Sequence, residues 1–151
     1  MQITGCVFAG PRQHGDFAWM LTRPEYDDAV FVFNDNESQF RAYRADPTGG
    51  AGCSPGGGNA VIRPYRCHQS PRAAGIPTGD GSGYSSLDDH ARSVIDEAVG
   101  VLADLLGTGR YRRVFYSADA DDPELLGTGI FRVGDDVRRY VVTRLRALGE
   151  G

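Results

Sequence analysis

Apolar residues fall into blocks along this chain, and their spacing separates strands from helices. Ala29-Val30-Phe31-Val32-Phe33 is a continuous β-branched and aromatic run that ends abruptly at Asn34-Asp35-Asn36. Such a run predicts a strand buried on both faces, as in a parallel sheet. A short helix should follow, with Asn36 as its N-cap and Phe40 and Tyr43 on one face. Ala73 to Thr78 reads as another strand, closed by Gly79-Asp80-Gly81-Ser82-Gly83. Beyond it Leu87, Ala91, Val94, Ile95, Ala98, Val99, Leu102, Leu105 and Leu106 recur at the helical period. Ser85 or Ser86 can cap this helix, Asp88 and Asp89 suit its first turn, and Gly107 supplies the stop. Arg112 to Ser117 is a strand around Val114-Phe115-Tyr116. A last helix runs from about Asp135 to Leu148, with Val137, Tyr140, Val141, Leu145 and Leu148 inward. The first 28 residues carry the weakest pattern; Ile3 to Phe8 and Phe17 to Leu21 each read as a strand.

Alternating strands and helices imply an α/β fold, with helices on both faces of a mixed, largely parallel sheet. The length of 151 residues fits one domain, spanning 1–151. In such sheets ligands bind beyond the carboxyl ends of the strands. Two polar segments should lie there, Asn34-Asp35-Asn36 after one strand and Ser117 to Phe131 after another.

Composition changes this picture in one respect. The 21 glycines concentrate at 49–58, 75–83, 107–109 and 127–129, more than chain turning alone requires, and glycine lets a backbone approach a ligand closely. Gly127-Thr128-Gly129-Ile130-Phe131 precedes a helix, where backbone N–H groups attract phosphate. Thr128 adds a hydroxyl, and Ile130 and Phe131 can wall the site with apolar surface. Gly56-Gly57-Gly58-Asn59 is a second loop of this kind. The plain alternatives are a strand-to-helix turn for the first and a flexible surface loop for the second. Neither loop has the Gly-Lys-Ser/Thr of a P-loop or the six-residue dinucleotide fingerprint.

Charge and cysteine content set limits. A net charge of −4 disfavours a nucleic-acid-gripping role. The arginines at 138, 139, 144 and 146 read as a solvated helix face. No apolar run is long enough for a membrane span, and the start lacks a secretory pattern, so a cytoplasmic protein is expected. Cys6, Cys53 and Cys67 are odd in number and widely spaced, which predicts reduced thiols rather than a disulfide framework. They and the histidines lack metal-ligand spacing, so neither a metal nor a cofactor is expected. Lysine is absent, which rules out catalysis through a lysine amine.

The order of these features resembles the macrodomain family. The stations that carry the resemblance are Ala29 to Asn36, Gly56 to Ile62, Ala73 to Thr78, Ser86 to Leu106, Val114 to Ser117, and Gly127 to Phe131. It covers roughly residues 29–148. The resemblance implies a three-layer α/β/α sandwich that binds ADP-ribose and, in hydrolytic members, removes it from modified protein side chains. By it Asn36 lies beside the distal ribose, Gly56, Gly57, Gly58 and Asn59 line one phosphate loop, and Gly127, Thr128, Gly129, Ile130 and Phe131 wrap the diphosphate. Its partners would be ADP-ribose or an ADP-ribosylated protein. The chain departs from the family where an adenine-reading aspartate is usual, Asp16 being a distant substitute. It also has Asn59-Ala60 where many hydrolytic members carry an aspartate, and Pro64 where a long helix normally runs.

If the chain is a hydrolase, Asn36, Asn59 and Asp119 are the candidate catalytic residues. Asp119, Asp121, Asp122 and Glu124 lie just upstream of the second loop, where a carboxylate can orient water or stabilise an oxocarbenium ion. The bland reading keeps these acids as solvated loop residues. A substrate-assisted route, in which the ligand's phosphate places the water, needs none of them. The alternative function is a module that binds ADP-ribose or a related nucleotide without turning it over. A third is a partner-binding α/β protein whose glycines only make turns.

Overall fold

The computed structural model describes residues 1–129 and 131–150. Its four strands are β1 (Gln2–Cys6), β2 (Ala29–Asp35), β3 (Ala73–Pro77) and β4 (Arg113–Ser117). They form one sheet in the order β1-β4-β2-β3, and every pairing is parallel. The antiparallel component expected of a mixed sheet is therefore absent among the described strands. What antiparallel pairing exists is confined to isolated bridges, Gly79 with Gly83 and Ala118 with Leu126, which fold loops rather than extend the sheet.

The helices are α1 (Phe17–Met20), α2 (Glu37–Ala45), α3 (Asp89–Leu106) and α4 (Asp135–Glu150). Strand alternation sends Val30, Val32, Ala74, Ile76, Val114 and Tyr116 to one face, where Phe40 of α2 and the apolar stripes of α3 and α4 cover them. Ala29, Phe31, Phe33, Ala73 and Phe115 face the other way, onto Phe17, Met20, Leu21, Ala60 and Ile62. Phe31 and Phe115 stack there at 5.3 Å between ring centres. Both faces are thus buried, which is why β2 reads as an unbroken apolar run. The arrangement is α/β and compatible with three layers.

Several expectations need correction. Phe17 to Leu21 is not a strand: Phe17–Met20 is a single helical turn capped by Asp16, whose side chain accepts from the Trp19 amide. A turn that short shows too little periodicity to separate 3.6 from 2. The first strand stops at Cys6 instead of Phe8. Asp88, not Ser85 or Ser86, caps α3, accepting from the Ala91 amide at 2.8 Å. The region after the glycine run is a 3₁₀ segment, Gly58–Cys67, in which Pro64 is accommodated.

The largest correction concerns the thiols. Cys53 and Cys67 are joined by a disulfide with 5.9 Å between Cα atoms. Their separation of 14 residues hid the pair, because nothing in the spacing shows that the 3₁₀ segment doubles back onto the preceding loop. Only Cys6 is a free thiol.

Candidate functional site

The carboxyl ends of β2 and β4 meet two of the glycine-rich loops. Asn34, near the end of β2, donates through Nδ2 to the Gly127 carbonyl at 2.8 Å. Its backbone N–H donates to Asn59 Oδ1 at 2.8 Å. Asn59 in turn donates through Nδ2 to Ser117 Oγ at 2.9 Å and to Asn34 Oδ1 at 3.3 Å. Residues far apart in sequence thereby join the 56–59 loop, the end of β4 and the 127–131 loop at one edge. The backbone around Gly57, Gly58 and Gly129 borders open space, with nothing within 4 Å of where a Cβ would stand. Gly58 adopts φ +58°, a conformation that suits glycine. Phe131 is 57% exposed and Phe8, just beyond β1, 65%. Ile130 lies outside the described residues.

The other candidates are engaged in ways the sequence left open. Asn36 caps α2: its Oδ1 accepts from the Gln39 amide at 2.9 Å and from the Ser38 hydroxyl at 3.0 Å. Asp119 ion-pairs with Arg138 at 2.7 Å and accepts from the amides of Asp121 and Asp122. The Arg138 hydrogen bond comes first among the causes that hold its carboxyl below the usual range. Asp122 pairs with Arg139 and Glu124 with Arg146, so these acids bind the last helix to the loop before it. Asp16 is an N-cap.

Sequence reasoning missed two groups at this end of the sheet. The first is a cavity of about 340 Å³ lined by Glu37, Asp80, Tyr84, Asp88 and His90 among others. Glu37 Oε1 takes a hydrogen bond from Tyr84 Oη at 2.5 Å and lies 2.7 Å from His90 Nε2. Burial pushes this carboxyl up, but the bonds to Tyr84 and His90 outweigh it and hold Glu37 below its ordinary value. Burial and the same carboxylate push the Tyr84 phenol up.

The second is a buried cluster under the first glycine loop. Asp35, the last residue of β2, receives Arg63 Nη2 at 3.0 Å and Arg66 Nη1 at 2.5 Å. All three residues are at most 4% exposed. The signal was present in Arg63-x-x-Arg66, since residues three apart eclipse one another in a 3₁₀ helix. Without the helix type, the two arginines read as ordinary surface charge.

Cys6 ends β1 and is 4% exposed, with Sγ 3.4 Å from His14 Nε2. Burial pushes its thiol up to about 11, so it is protonated at neutral pH and a poor nucleophile. Iodoacetamide at pH 8 should therefore label Cys6 slowly in the native protein and rapidly in urea. Equal rates, read by mass spectrometry, would show the thiol to be accessible and ionised.

Among the described residues no group of three or more His, Cys, Asp or Glu side chains is placed to hold a metal ion. No described helix is long and apolar enough to cross a membrane. The chain matches no family model, no curated protein and no solved structure.

Proposed function

We propose that this domain binds ADP-ribose, or a closely related nucleoside diphosphate, with its phosphates between the 56–59 and 127–131 loops. One observation carries the reading: the Asn34–Asn59–Ser117 hydrogen bonds bring two glycine-rich loops side by side at the carboxyl edge of a parallel sheet. That edge is where open α/β sheets hold ligands, and little side-chain bulk obstructs it. The exposed rings of Phe8 and Phe131 offer the kind of surface on which a base or sugar rests. The macrodomain resemblance points to the same ligand and to the same loops.

Under this reading turnover is the removal of ADP-ribose from modified side chains, ester-linked acidic residues among them. Asp119 is held by Arg138 and Asn36 by its capping role. A route in which the ligand's own phosphate places the water therefore suits the site better than one using Asp119 as a base. The same engagement of Asp119 favours the second reading, a module that binds ADP-ribose without cleaving it.

Calorimetric titration with ADP-ribose, with AMP and NAD as controls, tests the ligand. Micromolar binding that prefers ADP-ribose is the expected result. A Cβ at Gly129 meets nothing within 4 Å, and Gly129→Glu sets a carboxylate against the phosphates, so affinity should fall at least tenfold while the melting temperature holds. A folded Gly129→Glu protein with unchanged affinity would place the phosphates elsewhere.

A further inference from the structure

The Asp35 cluster does not balance. Two guanidinium groups share one carboxylate, and among the described residues no second acid bonds to either arginine. Arg66 also donates through Nε and Nη2 to the carbonyls of Gly52 and Gln39, at 2.8 and 3.1 Å. Arg63 spends its Nη1 on the Ser54 carbonyl at 3.1 Å. Carbonyl dipoles solvate the charges but leave one net positive charge buried. Burying an unpaired charge is costly, so its retention calls for something that uses the field.

The field has a clear outlet. Arg63 lies directly beneath the glycine loop: a Cβ on Gly56 would stand 2.7 Å from Arg63 Nη1 and 3.2 Å from the Ala60 Cβ. A single glycine backbone therefore separates the guanidinium from the open side of the loop. Arg63 also turns the Ser54 carbonyl inward, and the Ala60 carbonyl accepts from the Gly56 amide at 3.0 Å. The Ser54 oxygen thus faces the guanidinium, and the Gly56 amide is taken within the loop, which leaves the backbone of Gly57 and Gly58 at the open side. An anion resting on Gly57 and Gly58 would meet a positive field from below, through protein that screens it weakly.

We infer that Arg63 is a positioning residue for anion capture: it anchors the Ser54–Asn59 loop through the Ser54 carbonyl and charges it from beneath for a pyrophosphate-bearing ligand. This deepens the proposed function and rests on it for the nucleotide, though not for the anion. Arg63 need not touch the ligand. Its removal also leaves Asp35 and Arg66 as a balanced pair, so Arg63→Met should fold.

The test compares wild type, Arg63→Met and Arg63→Lys by titration with inorganic pyrophosphate and with ADP-ribose. Arg63→Met should weaken both by about tenfold and flatten the salt dependence of binding, with Arg63→Lys recovering part of the affinity and of the salt dependence. Folded Arg63→Met protein that binds ADP-ribose as wild type does would overturn the inference while leaving the proposed function intact. Pyrophosphate binding without ADP-ribose binding, lost in Arg63→Met, would uphold the anion site and remove the nucleotide reading. No binding of either by wild type removes both. Should Arg63→Met not fold, the Arg63 Nε–H resonance of wild type decides. It should move on adding pyrophosphate while that of Arg72, which bonds the Ala29 carbonyl at the opposite end of the sheet, stays still. An unmoved Arg63 signal at saturating pyrophosphate would sink the inference.

Discussion

Asp35→Ala should be the most damaging single substitution at the carboxyl end of the sheet, costing about 3–5 kcal/mol. Removing one partner of a buried ion pair leaves an uncompensated charge, and losses of that size are typical. Here the one carboxylate serves two guanidiniums, each at most 3% exposed, so its loss strands both. The packing offers no escape for them. Gly75 sits against the cluster, where a Cβ would stand 2.7 Å from both Arg66 Nη1 and Asp35 Oδ2, and Arg66 lies over the Tyr43 ring at 4.5 Å. Against a usual total stability of about 5–15 kcal/mol, that is a large share, and the urea midpoint of Asp35→Ala should fall accordingly. Urea denaturation followed by circular dichroism checks this. Arg63→Met should lose clearly less, because it leaves one acid with one base. If Asp35→Ala proves milder than Arg63→Met, then water reaches the guanidiniums and the cluster is not buried as described.

That cluster also marks where sequence reading stops. β2, β3, β4, α2, α3 and α4 were legible because each buries a stripe or run long enough to display its period. Asn36 was legible as a cap from its place between an apolar run and a helical stripe, and the structure has it capping α2. The glycine loops were legible as loops. Their meeting was not, since it depends on Asn34 reaching Gly127 across 93 residues of chain, and no local pattern encodes a contact of that range. Arg63 and Arg66 were missed for a different reason. The stretch from Gly58 to Cys67 contains Pro64, which argued against a helix, yet a 3₁₀ segment with a three-residue face of Ala60, Arg63 and Arg66 is buried there. Sequence rules place arginine outside unless it is paired, and the acid that pairs these two is 28 and 31 positions away. Asp119 to Glu124 went the other way: four acids before a phosphate-type loop suggested chemistry, and three of them are bound to the arginines of α4.

Reducing the Cys53–Cys67 disulfide should lower stability by about 3 kcal/mol, the chain-entropy value for closing a loop of roughly 15 residues. The closed loop contains Ser54 to Asn59 and both buried arginines, so the bond ties the glycine loop to the 3₁₀ segment beneath it. Two further contacts hold the same segment. Arg66 Nε donates to the Gly52 carbonyl, and Gly52 packs so closely on the Tyr43 backbone that a Cβ there would clash. The fold should therefore survive reduction, with a lower urea midpoint in dithiothreitol and the same midpoint in a Cys53→Ser/Cys67→Ser variant. Hydrogen exchange should quicken most between Gly50 and Asn59 and least in α3, whose buried face includes Val94, Ile95 and Leu102. A shift confined to this loop would make the disulfide a local brace. A midpoint that ignores dithiothreitol, with two thiols newly titrated, would mean that the arginine–carbonyl bonds alone fix the loop. Structural disulfides persist mainly in oxidising compartments, so the thiol count of protein isolated from its native cells under alkylating conditions bears directly on the cytoplasmic expectation. One alkylatable cysteine after denaturation, Cys6, would count against that expectation, and three would favour it.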